Sequence, residues 1–183
     1  MSRPLIFIFT GTGGAGRKTT AHRIGQELGI EHVLSTTTRL PREKEYPDKD
    51  YHYVSPAAFE QMQEQQLLIE NVRIGPVWYG IRYQELNSKL RSGKHVYLIL
   101  NSEGASVFKK LYPEQVVRIF LYVSKPAVRE RLEAKGRPDA VIEQYLDLYT
   151  EEVVYRTQCE HVIENMDLNR TLDKIREAIQ SHL

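Results

Sequence analysis

Three predominantly apolar runs, at residues 5–10, 96–100 and 116–123, the last carrying Arg118, are each followed by residues with helical spacing. A run without polar alternation has both faces covered, the habit of a parallel strand with helices packed on either side. The first run, Leu5-Ile-Phe-Ile-Phe-Thr10, ends in a glycine-rich turn, after which Ala21, Ile24 and Leu28 fall on one face of a helix over 18–28. Repeated strand–helix units predict an α/β fold built on a parallel sheet.

Between residues 35 and 83 the pattern changes to short, tyrosine-rich, polar-alternating pieces with turn chemistry at Pro41, Pro47-Asp48 and Gly75-Pro76. This predicts an inserted, mostly antiparallel subdomain, leaving 1–34 and 84–183 as the core. Ser55-Pro56 and Ser124-Lys-Pro126 put a hydroxyl at an N-cap and proline in a first turn, so these serines read as helix caps and not as catalysts. Glycine and proline interrupt two helical patterns at Ala134-Lys-Gly-Arg-Pro-Asp139, which predicts a hinged lid over about 131–147. The amphipathic pattern at 168–179 reads as a packing helix.

A chain of 183 residues is long enough for one core carrying a small insertion, and 41% hydrophobic with 27% charged residues is an ordinary globular balance. Twenty-five Lys and Arg against 24 Asp and Glu give a net charge of +1, so the whole molecule has no field to gather a nucleic acid polymer. Cys159 is the sole cysteine, which excludes an internal disulfide and fits a reducing compartment; the cytoplasm is the expectation. The early apolar run is far below the roughly 20 residues of a membrane span and lacks signal-peptide architecture, so no membrane association is expected.

Gly11-Thr-Gly13-Gly14-Ala15-Gly16-Arg17-Lys18-Thr19 lies between a buried strand and a helix, where backbone amides and a helix N-terminus converge on an anion. The usual phosphate loop has glycine, four residues, glycine, lysine, then a hydroxyl that ligates magnesium. Here Arg17 stands at the lysine and Lys18 at the hydroxyl. Sliding the register does not restore the pattern, because one helical residue turns a side chain by about 100°.

Further along come Leu34-Ser35-Thr-Thr-Thr-Arg39-Leu-Pro-Arg42, Lys49-Asp-Tyr51-His-Tyr53, Ile69-Glu70 and Tyr79-Gly80. With the glycine-rich loop, the Arg131-Leu-Glu-Ala-Lys135-Gly segment and Asn165, this series resembles guanylate kinases in order and spacing over roughly residues 5 to 180. The resemblance implies ATP and Mg2+ as cofactors and GMP or dGMP as the phosphoryl acceptor. It implies GMP contacts from Ser35, Arg39, Arg42, Tyr51, Glu70, Tyr79 and Asn101, transition-state cations at Arg17, Arg131 and Arg137, a lid containing Lys135, and Asn165 on the adenine side. The residue types suit those tasks. Paired arginines beside tyrosines present forked donors to a monophosphate. A carboxylate at Glu70 can accept from the N1–H and exocyclic amine of guanine, two donors adenine does not offer on that edge. The plain alternative makes Tyr51 and Tyr53 residues of a half-buried strand and the arginines a solvated face.

The chain also departs from the family. Ile99 and Asn101 replace two aspartates one residue apart, Ile81 replaces a serine or threonine, Tyr145 replaces a lid arginine, and Lys135 another, with Arg137 close by. The expectation is therefore ATP-dependent transfer to GMP with reduced activity and poor use of magnesium. The competing expectation is a non-catalytic module binding a nucleotide or a phosphorylated partner. GMP and dGMP are not distinguished by the sequence.

Overall fold

The computed structural model describes residues 2–183. The chain runs β1 (Ile6–Gly11), α1 (Arg17–Leu28), β2 (Glu31–His32), β3 (Thr36–Thr37), β4 (His52–Tyr53), α2 (Pro56–Glu64), β5 (Leu68–Ile74), β6 (Val77–Arg82) and α3 (Tyr83–Arg91). It continues through β7 (Val96–Ile99), α4 (Ser102–Leu111), β8 (Val116–Tyr122), α5 (Lys125–Ala134), α6 (Asp139–Val154), a 3-10 turn at Tyr155–Gln158, β9 (His161–Glu164) and α7 (Leu168–Gln180).

Five strands form a fully parallel sheet in the order β2-β7-β1-β8-β9. Every residue of the central strand β1 is buried, as its unbroken apolar run demands. Its side chains alternate between two cores. Ile6 and Ile8 join Leu86 of α3 and Ala105 and Phe108 of α4 on one face, whereas Phe7 and Phe9 join Ile24 of α1 and Leu172, Ile175 and Ile179 of α7 on the other. The period-2 geometry of a strand makes one run serve both faces.

The insertion carries a second sheet in the order β4-β3-β6-β5. Its β3–β6 and β5–β6 pairs are antiparallel and β3–β4 is parallel. Ser55 and Ser124 are N-caps, accepting from the amides of Ala58 at 3.1 Å and Ala127 at 3.3 Å. Asp48 takes φ +60°, a left-handed turn conformation that aspartate tolerates better than most side chains. Among the described residues, no helix is long and apolar enough to cross a membrane.

Candidate nucleotide site

The glycine-rich loop leaves β1 at its C-terminal end, the edge of a parallel sheet where ligands bind. Gly11 has φ +145°, and a Cβ there would sit 1.8 Å from the carbonyl oxygen of Leu121, so only glycine lets β1 leave the sheet this close to β8. Gly16 has φ +80°, and a Cβ there would lie 2.8 Å from Nδ2 of Asn165. That amide belongs to the loop's support: Asn165 is buried and donates to the carbonyl of Ala15 at 2.7 Å, while its own carbonyl accepts from Arg131. From α6, the ring of Tyr145 packs on Gly13 and the carboxylate of Glu152 accepts the Gly13 amide at 3.4 Å. Burial raises the Glu152 carboxyl above the ordinary range, with the Gly13 amide and Arg17 opposing.

Arg17 and Lys18 open α1 and point to different places, as the rotation per residue requires. Arg17 donates to the carbonyl of Leu100 at 3.3 Å, whereas Lys18 reaches Asp50 at 2.9 Å and Glu45 at 3.5 Å in the insertion. The Thr20 hydroxyl is spent on the carbonyls of Gly16 and Arg17, and Thr19 is exposed at the cavity mouth. A cavity of about 340 Å³ is lined by Gly14 to Thr19, His32, Ser35, Asp50, Tyr51, Ile99 and Lys135.

A second cavity, about 170 Å³, adjoins it and shares Arg17, Ser35, Tyr51 and Ile99 with it. Its remaining wall includes Glu70, Val72, Tyr79, Leu100 and Asn101. Arg39 stands beside Tyr79, donating from Nε to the phenolic oxygen at 3.3 Å, and lies 5.2 Å over the ring of Tyr51. Its fork holds both carboxylate oxygens of Glu45 at 2.7 and 3.0 Å. That pairing raises the Arg39 guanidinium further and, with the amide of Arg42 helping, lowers the Glu45 carboxyl to about 2. The Arg42 side chain is exposed; the contact to Glu45 is made by its backbone amide at 2.9 Å.

Glu70 is 5% exposed and its Oε2 has no partner. Burial, reinforced by the charge of Glu103, pushes its carboxyl up to about 7, with the Ile81 amide opposing. An unpaired acceptor in a desolvated wall costs stability unless a ligand donor meets it. Asn101 caps α4, its Oδ1 accepting from Gly104 at 3.0 Å, so one acceptor of that side chain is committed to the helix. Ile81 is fully buried in the core beside Leu86, a place a hydroxyl would have to be satisfied.

Of the residues expected to act on phosphate and base, Arg17, Lys18, Ser35, Tyr51, Glu70, Tyr79 and Asn101 line the two connected cavities, Arg39 stands beside Tyr79, and Arg42, Arg131, Arg137 and Asn165 line neither. Arg131 is turned toward Asn165, and Arg137 is exposed past the Gly136 turn, where φ is +70°; of the cations in this segment, Lys135 lines the larger cavity. Sequence reasoning assigned nothing to Glu45, Asp50 or His32. The signal for the first two was present, since acids interleaved among the cations and tyrosines of 39–51 call for partners.

The sequence profile described as guanylate kinase matches residues 1–182. The guanylate kinase of Caldanaerobacter subterraneus subsp. tengcongensis is 29% identical over 178 residues, covering 96% of this chain and 86% of its own. That of Bacillus subtilis is 28% identical over 183 residues, covering 97% and 88%. A solved guanylate kinase from Anaplasma phagocytophilum superposes with a TM-score of 0.82 at 24% identity, covering 99% of this chain and 87% of its own, a likeness that speaks to the fold. With the profile spanning all but the final residue, the chain belongs to the guanylate kinase family.

Proposed function

We propose that the chain transfers the γ-phosphoryl group of ATP to GMP or dGMP, giving ADP and GDP or dGDP. The carrying observation is the pair of adjoining cavities, one against the glycine-rich loop and one against Glu70 and Tyr79, the latter bonded to Arg39, meeting at Arg17, Ser35, Tyr51 and Ile99. An acceptor phosphate gripped by Arg39, Arg42, Tyr51 and Tyr79 faces donor phosphates on the loop amides of Gly11 to Thr19. An oxygen of that monophosphate attacks the γ-phosphorus; the new P–O bond forms as the β,γ-bridging bond breaks, and ADP leaves with the electron pair. The chain's part is positioning and charge neutralisation, which supply most of the catalysis in phosphoryl transfer.

In this reading Arg17 neutralises charge on the transferred group, while Arg131 and Arg137 arrive with lid movement and Lys135 already lines the cavity. Glu70 accepts from the guanine edge with Ser35 beside it, Asn101 lines the same wall, and Asn165 keeps the loop in shape on the adenine side. The partners are small nucleotides, and the cytoplasm is the compartment that fits this reading.

Magnesium, which the family implies, would neutralise phosphate charge when bound, but the residues present do not fit it. Mg2+ takes oxygen ligands in near-octahedral array, usually through one or two carboxylates. The acids expected near it are Ile99 and Asn101, the loop hydroxyl is Lys18, and the cavity's one lining carboxylate, Asp50, is held by that lysine. Among the described residues no group of three His, Cys, Asp or Glu is placed to hold a metal.

A coupled ADP-release assay with ATP and GMP, repeated with AMP as acceptor, tests the proposal. Turnover with GMP and little with AMP is expected. Binding of both nucleotides with no ADP formed would instead indicate a non-catalytic binding module, for which the departures on the magnesium side, sparing the monophosphate side, are the supporting observation.

A further inference from the structure

The misfit with magnesium has a counterpart in what stands there instead. Lys18 is the second residue of α1, so its ammonium projects from the helix N-terminus that closes the phosphate loop. Its Nζ lies 2.9 Å from Asp50, 3.5 Å from Glu45 and 5.5 Å over the ring of Tyr51, one of the residues shared by both cavities. The Lys18 ammonium therefore bridges the glycine-rich loop and the insertion, beside Arg17 at the junction of the cavities. Close by, Ile99 presents a hydrocarbon to the same junction, so no carboxylate from the main sheet competes for a cation.

We propose that Lys18 is the resident cation of this site, taking the place of a divalent metal in holding the nucleoside triphosphate, so that the chain binds ATP through Lys18 with little dependence on magnesium. The inference rests on the kinase reading for the identity of the ligand.

Two features make the ammonium available. The Lys18 side chain is 42% exposed within the cavity, and ion pairs at that exposure contribute little in water because solvent screens them. Phosphates carrying several charges and presented on backbone amides outcompete Asp50 for such a lysine, and Glu45 keeps Arg39 as its partner when Lys18 leaves. Lysine also suits the task as a compact point charge on a flexible stem, able to swing from Asp50 to a phosphate oxygen.

Simple tethering of α1 to the insertion by the Lys18–Asp50 bridge is the rival, and the two readings split on paired variants. If the bridge is only structural, Lys18→Ser and Asp50→Asn break the same contact and should act alike. If Lys18 grips phosphate, they act in opposite directions, because Asp50→Asn releases the ammonium while Lys18→Ser removes it.

The experiment is calorimetric titration of ATP into the full chain, once in EDTA and once in excess Mg2+, for wild type, Lys18→Ser, Lys18→Arg and Asp50→Asn. The wild-type Kd is expected to change by less than about threefold between buffers. In EDTA, Lys18→Ser should weaken ATP by about 10- to 100-fold, the span of one charged hydrogen bond, with Lys18→Arg recovering part of it and Asp50→Asn binding more tightly than wild type. Mg2+ tightening wild-type binding tenfold or more overturns the proposal. So does a Lys18→Ser protein that binds ATP like wild type, or Asp50→Asn weakening ATP as Lys18→Ser does. GMP is titrated separately. ATP binding of the expected pattern without GMP binding would sink the kinase reading and leave Lys18 as the phosphate cation, whereas no ATP binding in either buffer sinks both.

Discussion

Replacing Glu70 by glutamine keeps the shape of the side chain and removes its charge, and the consequences can be worked from its surroundings. In the free protein the carboxyl is raised from 4.5 to about 7, chiefly by burial and then by Glu103. The folded chain therefore holds the proton more tightly than the unfolded chain. Stability is undiminished below pH 4.5, falls as pH rises from there to 7, and is lower by about 3 kcal/mol above it, at about 1.4 kcal/mol per pKa unit. Glu70→Gln removes that cost, while its new amide needs an acceptor that the unpartnered Oε2 did not. A net gain of about 1–2 kcal/mol at pH 8 follows, or roughly 2–8 °C in Tm for a chain of this size, vanishing near pH 5. Binding should move the other way. Guanine requires the ionised acceptor, whose population rises from about a tenth at pH 6 to about nine tenths at pH 8 for a pKa near 7, so GMP should bind wild type about tenfold more tightly at pH 8. The phosphate of GMP titrates in the same range, and Glu70→Gln is the control, since it keeps that contribution and loses the other. Calorimetry at both pH values and thermal melts from pH 5 to 8 supply the data. Equal pH ratios for the two proteins, or a variant no more stable at pH 8, would refute the argument that Glu70 is a desolvated, base-reading carboxylate.

Two further outcomes are expected. Arg42→Ala should weaken GMP by roughly 10- to 100-fold without loss of stability, because the side chain is exposed and its fold contact is through the backbone; unchanged affinity by calorimetry removes Arg42 from the phosphate. Gly16→Ala should cost more in denaturant unfolding than Gly29→Ala, although both have positive φ, since only the former drives a methyl into Asn165; equal midpoint shifts would show that the Asn165 contact does not hold the loop.

The β1–loop–α1 unit was legible because its signals are local: an apolar run covered on both faces, then glycines, then a 3.6-residue period. The caps at Ser55 and Ser124 were legible for the same reason. The two-residue strands β2, β3 and β4 were not, since no periodicity fits in two residues and their pairing is decided by partners far along the chain. In the site, residue types and order indicated Arg39, Tyr51, Glu70 and Tyr79. The pairing of Lys18 with Asp50 joins positions 32 apart through the docking of the insertion against α1, a tertiary outcome with no local trace. Likewise, whether Lys135 or Arg137 faces the cavity is set by the left-handed turn at Gly136, which composition leaves open.

The hairpin of α5 and α6 joins two tasks in one piece of chain. At its turn it holds Lys135 over the cavity, and along α6 it braces Gly13 with the ring of Tyr145 and the carboxylate of Glu152. Were the hairpin to swing as a rigid lever, the ring would scrape across a glycine that has no room for a single methyl, and the loop would lose its brace. If the segment expected to be a lid does move, this brace puts any bend on the turn side of Tyr145, in the first roughly two turns of α6 at 3.6 residues per turn and the end of α5. The rest of α6, from Tyr145 to Glu152, then stays as the buttress of the glycine-rich loop.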